Sequence, residues 1–349
     1  MKLLQRGSIV FLAGIMIFFA DSALGQQQLP LIKVIATGGT IANTADGRIS
    51  GDAYVAAIPE IKKYARIEVI DFMRVASSAI APEHWMQIAK QINGIFSKEK
   101  EVQAVVVTTG SNTLAETAYF LNLVVKSDKP VVLTGAQRRF KALSSDSPKN
   151  FLQALRVASS PEAMGKGALV VANDCISAAR EVRKNITRRL ETWDSGDIGF
   201  LGYVDVDKVT FYRAPLRKHT LATEFDITNL DRLPRVDVIH SYAGAPGDIM
   251  ELAVEQCKAE GIVIAGFPTG TGSRPWQNNV AEKLYRKGIP VVLTNRAGIG
   301  RIAPEAEQPF EEYFLVGDNL VPDKARILLM LALSKTKDLK EIQRMFVEY

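Results

Sequence analysis

Two short stretches of this chain have the residue types for acyl chemistry: Thr37-Gly38-Gly39-Thr40-Ile41-Ala42 and Thr109-Gly110-Ser111-Asn112-Thr113. Each combines hydroxyls, which can attack a carbonyl, with glycines that let the backbone turn sharply and bring its N–H groups close to a ligand. Neither has the lysine of a phosphate-binding loop, so nucleotide binding is a poor reading of both. Taken singly, either stretch is also what a helix cap after a strand looks like, because hydroxyl and amide side chains satisfy the first N–H groups of a helix. The pair says more than either member.

Both stretches follow apolar, β-branched runs. Strands are expected at Ile32–Ala36, Arg66–Phe72, Ala104–Thr108, Pro130–Thr134 and Gly167–Ala172, with amphipathic helical patterns at His84–Phe96, Thr113–Val125 and Asn150–Ser159 between them. That alternation predicts an α/β fold whose mostly parallel sheet is covered on both faces. A second αβ series begins near Arg235: Val236–His240, Ile249–Glu260, Gly261–Phe267, Gln277–Lys287, Pro290–Thr294 and Lys324–Ser334. The expected organisation is an N-terminal α/β domain over 30–212, a linker over 213–234 and a smaller C-terminal α/β domain over 235–349. In such sheets ligands bind beyond the carboxyl ends of the strands, where both glycine–hydroxyl stretches fall.

The chain has 349 residues, 47% of them hydrophobic, enough for a full core and two domains of ordinary size. Residues 1–25 read as a secretory signal peptide: Lys2 and Arg6, an apolar run from Ile9 to Ala20, then Ala23-Leu24-Gly25 before a polar residue. The run is shorter than the ~20 residues a bilayer span needs. Export to the periplasm or outside the cell is therefore expected, with no membrane attachment after cleavage. Cys175 and Cys257 are far apart in sequence, and their spacing does not say whether they pair. The net charge is +5, with acids and bases interspersed. The densest basic run, Arg180 to Arg189, lacks the aromatic interleaving of a nucleic-acid surface and reads as a solvated face or an acidic-ligand site.

The motif Ile35-Ala36-Thr37-Gly38-Gly39-Thr40-Ile41-Ala42 resembles the first signature of the bacterial-type L-asparaginase/glutaminase family, in its exported form. The resemblance continues through Glu116-Thr117-Ala118-Tyr119-Phe120-Leu121, Lys129-Pro130-Val131-Val132-Leu133-Thr134-Gly135-Ala136, Arg213-Ala214-Pro215 with Lys218-His219-Thr220, and Pro322-Asp323-Lys324-Ala325-Arg326. It implies hydrolysis of a small-molecule side-chain amide through a threonine acyl-enzyme, without metal or organic cofactor. It also implies a homotetramer of intimate dimers whose sites the neighbouring subunit completes. Residue by residue, it assigns Thr40 as nucleophile, Ser111 and Lys184 as the other catalytic groups, Ser77 as a residue that helps bind the substrate carboxylate, and Ser78, Asn112 and Thr271 as further substrate-binding positions. A lysine beside a hydroxyl and partly desolvated can have its pKa lowered enough to act as a base. Backbone N–H groups near Gly39 and Ser111 are the candidates for holding the oxyanion.

The chain departs from the family pattern where the substrate's amino group would sit. Asn112 replaces an aspartate that in the family contacts the substrate's ammonium, and an amide brings no charge to that contact. Thr271 stands where an asparagine often assists, and Glu305 or Glu307 is the candidate for the acidic residue a neighbour supplies. The lid segment 43–50 is short and lacks the family's tyrosine, with Tyr54 expected on the next helix. Three readings follow: hydrolysis of L-asparagine, with L-glutamine as a second substrate; hydrolysis of an asparagine-like amide without a free α-amino group; and non-catalytic binding of an amino acid.

Overall fold

In the computed structural model of the chain, residues 28–303 and 313–349 are described; the expected leader, residues 1–25, and Glu305 and Glu307 lie outside them. The N-terminal part carries strands β1 (Leu31–Gly38), β2 (Asn43–Thr44), β3 (Gly47–Arg48), β4 (Arg66–Val75), β5 (Val102–Thr108), β6 (Val131–Thr134), β7 (Ala168–Ala172), β8 (Cys175–Ala178), β9 (Arg183–Lys184), β10 (Trp193–Asp194), β11 (Gly202–Val204) and β12 (Val209–Phe211). Its helices are α1 (Gly51–Ala56), α2 (Pro82–Lys98), α3 (Leu114–Val124) and α4 (Ser147–Ala158). The C-terminal part has strands β13 (Val236–His240), β14 (Gly261–Gly266), β15 (Val291–Asn295) and β16 (Leu315–Val316), with helices α5 (Asp248–Glu255), α6 (Trp276–Arg286), α7 (Pro322–Leu333) and α8 (Leu339–Glu348).

Eight strands form one sheet in the order β12-β11-β8-β7-β6-β5-β1-β4. The half from β4 to β7 is parallel; β1, β5, β6 and β7 read as near-continuous buried apolar runs because both their faces are covered, while the edge strand β4 alternates charged and apolar residues and is only partly buried. From β7 to β12 the pairing is antiparallel, so the sheet is mixed where the sequence predicts a mostly parallel one. The reason is local. Asn173 and Asp174 both take positive φ, 51° and 65°, the geometry of a tight two-residue hairpin turn, and β8 folds straight back on β7. The smaller sheet, β13-β14-β15-β16, is parallel throughout.

The helices obey the same logic of buried faces. In α2, Trp85, Ile88, Ala89, Ile92, Ile95 and Phe96 recur at helical spacing and are all buried, while Pro82 opens the helix without losing a needed N–H. The His84 Nδ1 accepts the Ala81 N–H at 2.9 Å and so caps the start. Each fully buried large side chain on that face contributes about 1.5–3 kcal/mol. Helix α3 is buried on every side, lying between the large sheet and α7 of the C-terminal part. Cys175 and Cys257 are both free thiols, the first half-buried in β8 and the second exposed beyond α5. Among the described residues no helix is long and apolar enough to cross a membrane.

Candidate active site

The chain runs from β1 to its neighbour β4 on one side and then crosses to β5 on the other, so the crevice between β1 and β5 is the sheet's topological switch point. Ala36 of β1 pairs with Thr108 of β5, and the two glycine–hydroxyl stretches therefore leave the sheet side by side. The Thr37 hydroxyl ties them together by donating to the Thr108 carbonyl at 3.0 Å.

Their backbones touch through glycine. Gly39 has φ of 79°, and a Cβ built on it would lie 2.3 Å from the Gly110 Cα. A Cβ on Gly110 would in turn lie 2.5 Å from the Ser77 hydroxyl. No other residue type fits either position, and the close approach lets Thr40 and Ser111 line one cavity. Ser77 braces the second loop: its Oγ accepts the Asn112 N–H at 3.2 Å and its carbonyl accepts the Thr113 hydroxyl at 3.1 Å. Ser78, its neighbour, is exposed.

Lys184 reaches this cavity from the two-residue strand β9. Its Nζ donates to the Ser111 Oγ at 2.8 Å and lies 3.4 Å from the Asn112 Oδ1. Partial burial, and secondarily the charge of Arg188, hold the Lys184 ammonium below the ordinary lysine pKa. Side chains alternate along a strand, so the adjacent Arg183 points the other way, toward Asp194, the Gly298 carbonyl and a second cavity lined also by Arg180, Arg217, Arg301 and Asp318. The basic run that reads as one patch in the sequence is divided by β9 into two environments.

The cavity also contains Gln137, Asn185 and the loop 186–188. Gln137 is absent from the sequence reading. Its Oε1 accepts the Ser111 hydroxyl at 3.4 Å while its Nε2 donates to the Arg189 carbonyl at 3.3 Å, so it connects the β5 loop to the loop beyond β9. The signal was available, since Gln137 follows the carboxyl end of β6 as the glycine–hydroxyl loops follow β1 and β5. The two backbone donors also separate. The Gly39 N–H is committed to the Val75 carbonyl at 2.9 Å, which removes it as an oxyanion donor, whereas the Ser111 N–H has no acceptor among the described residues.

Thr271 lies elsewhere, on the loop after β14, with its hydroxyl 3.4 Å from that of Thr269; it does not line this cavity within the same chain. Tyr54 sits on α1, is 2% exposed and bonds Ser147 through its hydroxyl at 2.9 Å, so it is a core residue. The segment 43–50 forms the short β2–β3 hairpin instead of a long lid. Together these positions give a hydroxyl at a sharp turn, a second hydroxyl held by an amine of lowered pKa, and an open N–H. That set can form and break an ester at a carbonyl carbon.

Comparison with known proteins agrees with this chemistry. Residues 31–217 match the model described as "Asparaginase, N-terminal", and residues 235–346 match the "Glutaminase/Asparaginase C-terminal domain". L-asparaginase 2 of Bacillus subtilis (strain 168) is 41% identical, over 94% of this chain and 89% of its own. L-asparaginase 2 of Escherichia coli (strain K12) is 36% identical over 97% and 98%, and the glutaminase-asparaginase of Pseudomonas fluorescens biotype A is 37% identical over 93% and 92%. The crystal structure of a probable cytoplasmic L-asparaginase from Campylobacter jejuni superposes with a TM-score of 0.87 at 39% identity, covering 92% of this chain and all of that one. With both domain models matched in order over nearly the whole chain, and the glycine–hydroxyl loops meeting at the switch point, this protein belongs to the asparaginase/glutaminase family of amidohydrolases.

Proposed function

We propose that this protein hydrolyses the side-chain amide of L-asparagine, and of L-glutamine as a second substrate, to the acid and ammonia. The observation that carries the reading is the 2.8 Å contact between Lys184 and Ser111 in the cavity that Thr40 lines. In this mechanism the Thr40 hydroxyl attacks the amide carbon, and its proton passes through the Ser111–Lys184 pair to the departing nitrogen. The C–N bond breaks, ammonia leaves and Thr40 holds the acyl group as an ester. Water, deprotonated by the same pair, releases the acid and restores Thr40. The Ser111 N–H holds the oxyanion in both halves.

A second reading has its own observation. Among the described residues, the cavity lining includes Lys184 and Arg188 but no carboxylate, and Asn112 offers an uncharged oxygen. Such a lining favours an amide with an anionic far end and no free ammonium, because an ammonium gains no charge-assisted bond there and meets two cations. A homotetramer bears on the choice, since a neighbouring chain could bring Thr271 and an acidic residue to the cavity mouth. The expected location is the periplasm or outside the cell, supported by the leader-like residues 1–25 and by a relative named a probable periplasmic L-asparaginase in Haemophilus influenzae.

Ammonia release from L-asparagine, L-glutamine and succinamic acid, measured beside Thr40→Ala, tests both. Asparagine turnover that falls by about 10³-fold or more in the variant supports the first reading. Turnover of succinamic acid alone selects the second. Ligand binding without Thr40-dependent ammonia would overturn both and leave a binding protein.

A further inference from the structure

Lys324 is the most unusually placed cation among the described residues. It is fully buried, and it occupies the first turn of α7, where the positive end of the helix dipole disfavours a cation. Within the first turn of α7 only Asp323 favours the charge.

The partners that hold Lys324 lie outside the helix. The Nζ donates to the backbone carbonyls of Ala179 at 2.9 Å, Arg180 at 2.8 Å and Val182, using all three of its N–H bonds. These carbonyls belong to the turn that joins β8 to β9. The N–H groups of the turn look inward, Ala179 to the Ala168 carbonyl and Glu181 and Val182 to the Ala178 carbonyl. Its carbonyl side is therefore held by one side chain from the C-terminal part. On the other flank the Nζ lies 5.8 Å from the ring centroid of Tyr119, on α3. Helix α3 begins three residues after Ser111, and the turn ends two residues before Lys184. Lys324 thus sits between the two segments that bring Lys184 and Ser111 together.

We propose that Lys324 is a positioning residue for amide hydrolysis: by gathering the 179–182 carbonyls it fixes the direction in which β9 presents Lys184 to Ser111. The proposal rests on the assignment of Lys184 as base. The groups facing Lys324 are Asp323 and Glu181, which favour its charge, and Arg180 and Arg183, which oppose it; burial, the largest influence, lowers its pKa to about 8. A neutral replacement leaves three carbonyls without a donor, and the turn must move to reach water. Lys184 then loses its contact with Ser111 and gains solvent, which raises its pKa back toward that of an ordinary lysine.

The test compares full-length wild type with Lys324→Met and with Leu284→Ala, a buried core substitution in α6 away from the turn. Expected for Lys324→Met is a kcat loss on the order of 10²-fold, the cost of displacing a reacting group by about 1 Å, with KM little changed. The acid limb of kcat moves to higher pH, because less Lys184 is neutral at a given pH. Leu284→Ala lowers the melting temperature but leaves that limb in place. The pH dependence of Lys184 acetylation by acetic anhydride, read by peptide mass spectrometry, reports the same shift without turnover. A wild type that releases no ammonia would sink the proposed function and leave this second readout standing. A folded Lys324→Met with unchanged kcat and acetylation profile overturns the proposal, as does an equal kcat loss in Leu284→Ala. Should the methionine variant not fold, Lys324→Gln, with two N–H donors on a shorter stem, takes its place; if neither folds, Lys324 is a folding residue and the proposal falls.

Discussion

The parallel strands of the protein's two larger sheets end in the same way and use their ends differently. At the carboxyl ends of β13, β14 and β15 two buried amide side chains, Gln277 and Asn295, are engaged within the protein. The Gln277 Oε1 accepts from the Ser241 hydroxyl at 2.6 Å and the Ser273 N–H at 2.9 Å, and its Nε2 donates to the His240 carbonyl at 3.2 Å. Asn295 bonds the Ile299 and Gly300 carbonyls and the Gly298 N–H of its own loop. At the ends of β1, β5 and β6, by contrast, Thr40, Ser111, Asn112 and Gln137 border open space. Position at a strand end does not by itself make a site. What distinguishes the first sheet is that its loops are braced by backbone and glycine contacts, so that its polar side chains bond one another around an open cavity instead of filling it.

Three substitutions sharpen or break that contrast. The largest effect is expected for Lys184→Met: kcat falls by about 10²–10⁴-fold, the range for loss of a general base. Stability in urea is unchanged or slightly higher, because the folded state no longer holds a desolvated ammonium. A marked loss of stability would place Lys184 among the structural residues. The converse is expected of Gln277→Leu, which leaves the Ser241 hydroxyl, the Ser273 N–H and the His240 carbonyl unpaired: urea denaturation should show a loss of about 2–4 kcal/mol. Its kcat should fall far less than that of Lys184→Met; an equal fall would mean that the C-terminal strand ends join the chemistry.

The smallest effect concerns Glu116 on α3, whose carboxyl is pushed up to about 7, chiefly by burial and then by the charge of Asp323. Its folded pKa lies above the unfolded value, so the folded state binds the extra proton. The stability this brings is complete below about 4.5 and is lost as pH rises through about 7. Glu116→Gln should therefore gain on the wild type, by about 1–3 kcal/mol, as urea melts are moved from pH 5 to pH 8. Parallel pH profiles for the two proteins would show that Glu116 is ionised at no unusual cost.

The parallel half of the fold was legible because the physics there is repetitive. A strand buried on both faces must be apolar throughout, as Val105-Val106-Val107 is, and the glycines that end it mark the turn where a backbone comes close to another. The antiparallel half was not legible. Strands as short as β8, β11 and β12 are too brief to show a period, and the return of β8 along β7 depends on Asn173 and Asp174, two positive-φ residues that resemble any polar turn. Helix α5 ends at Glu255, shorter than its apolar pattern, because the chain turns at Cys257 and Lys258, where φ is 62°. Tyr54 was placed on the helix after the lid, and there it is, buried against Phe140 and Phe151. Lys324 was invisible for a different reason: a lysine in the first turn of a helix carries no sign of burial, and its carbonyl partners are about 140 residues away.

The opposed directions of Arg183 and Lys184 have a consequence for how this protein can change. Point substitutions around β9 alter one cavity at a time, but a single-residue shift upstream of it turns Lys184 away from Ser111 in either direction: a deletion puts Asn185 in its place and an insertion puts the guanidinium of Arg183 there. A guanidinium does not give up its proton in the range where proteins work. A mutant library built on this segment should therefore vary residue identities at constant length, and a lineage that shifts its length must recruit a new base.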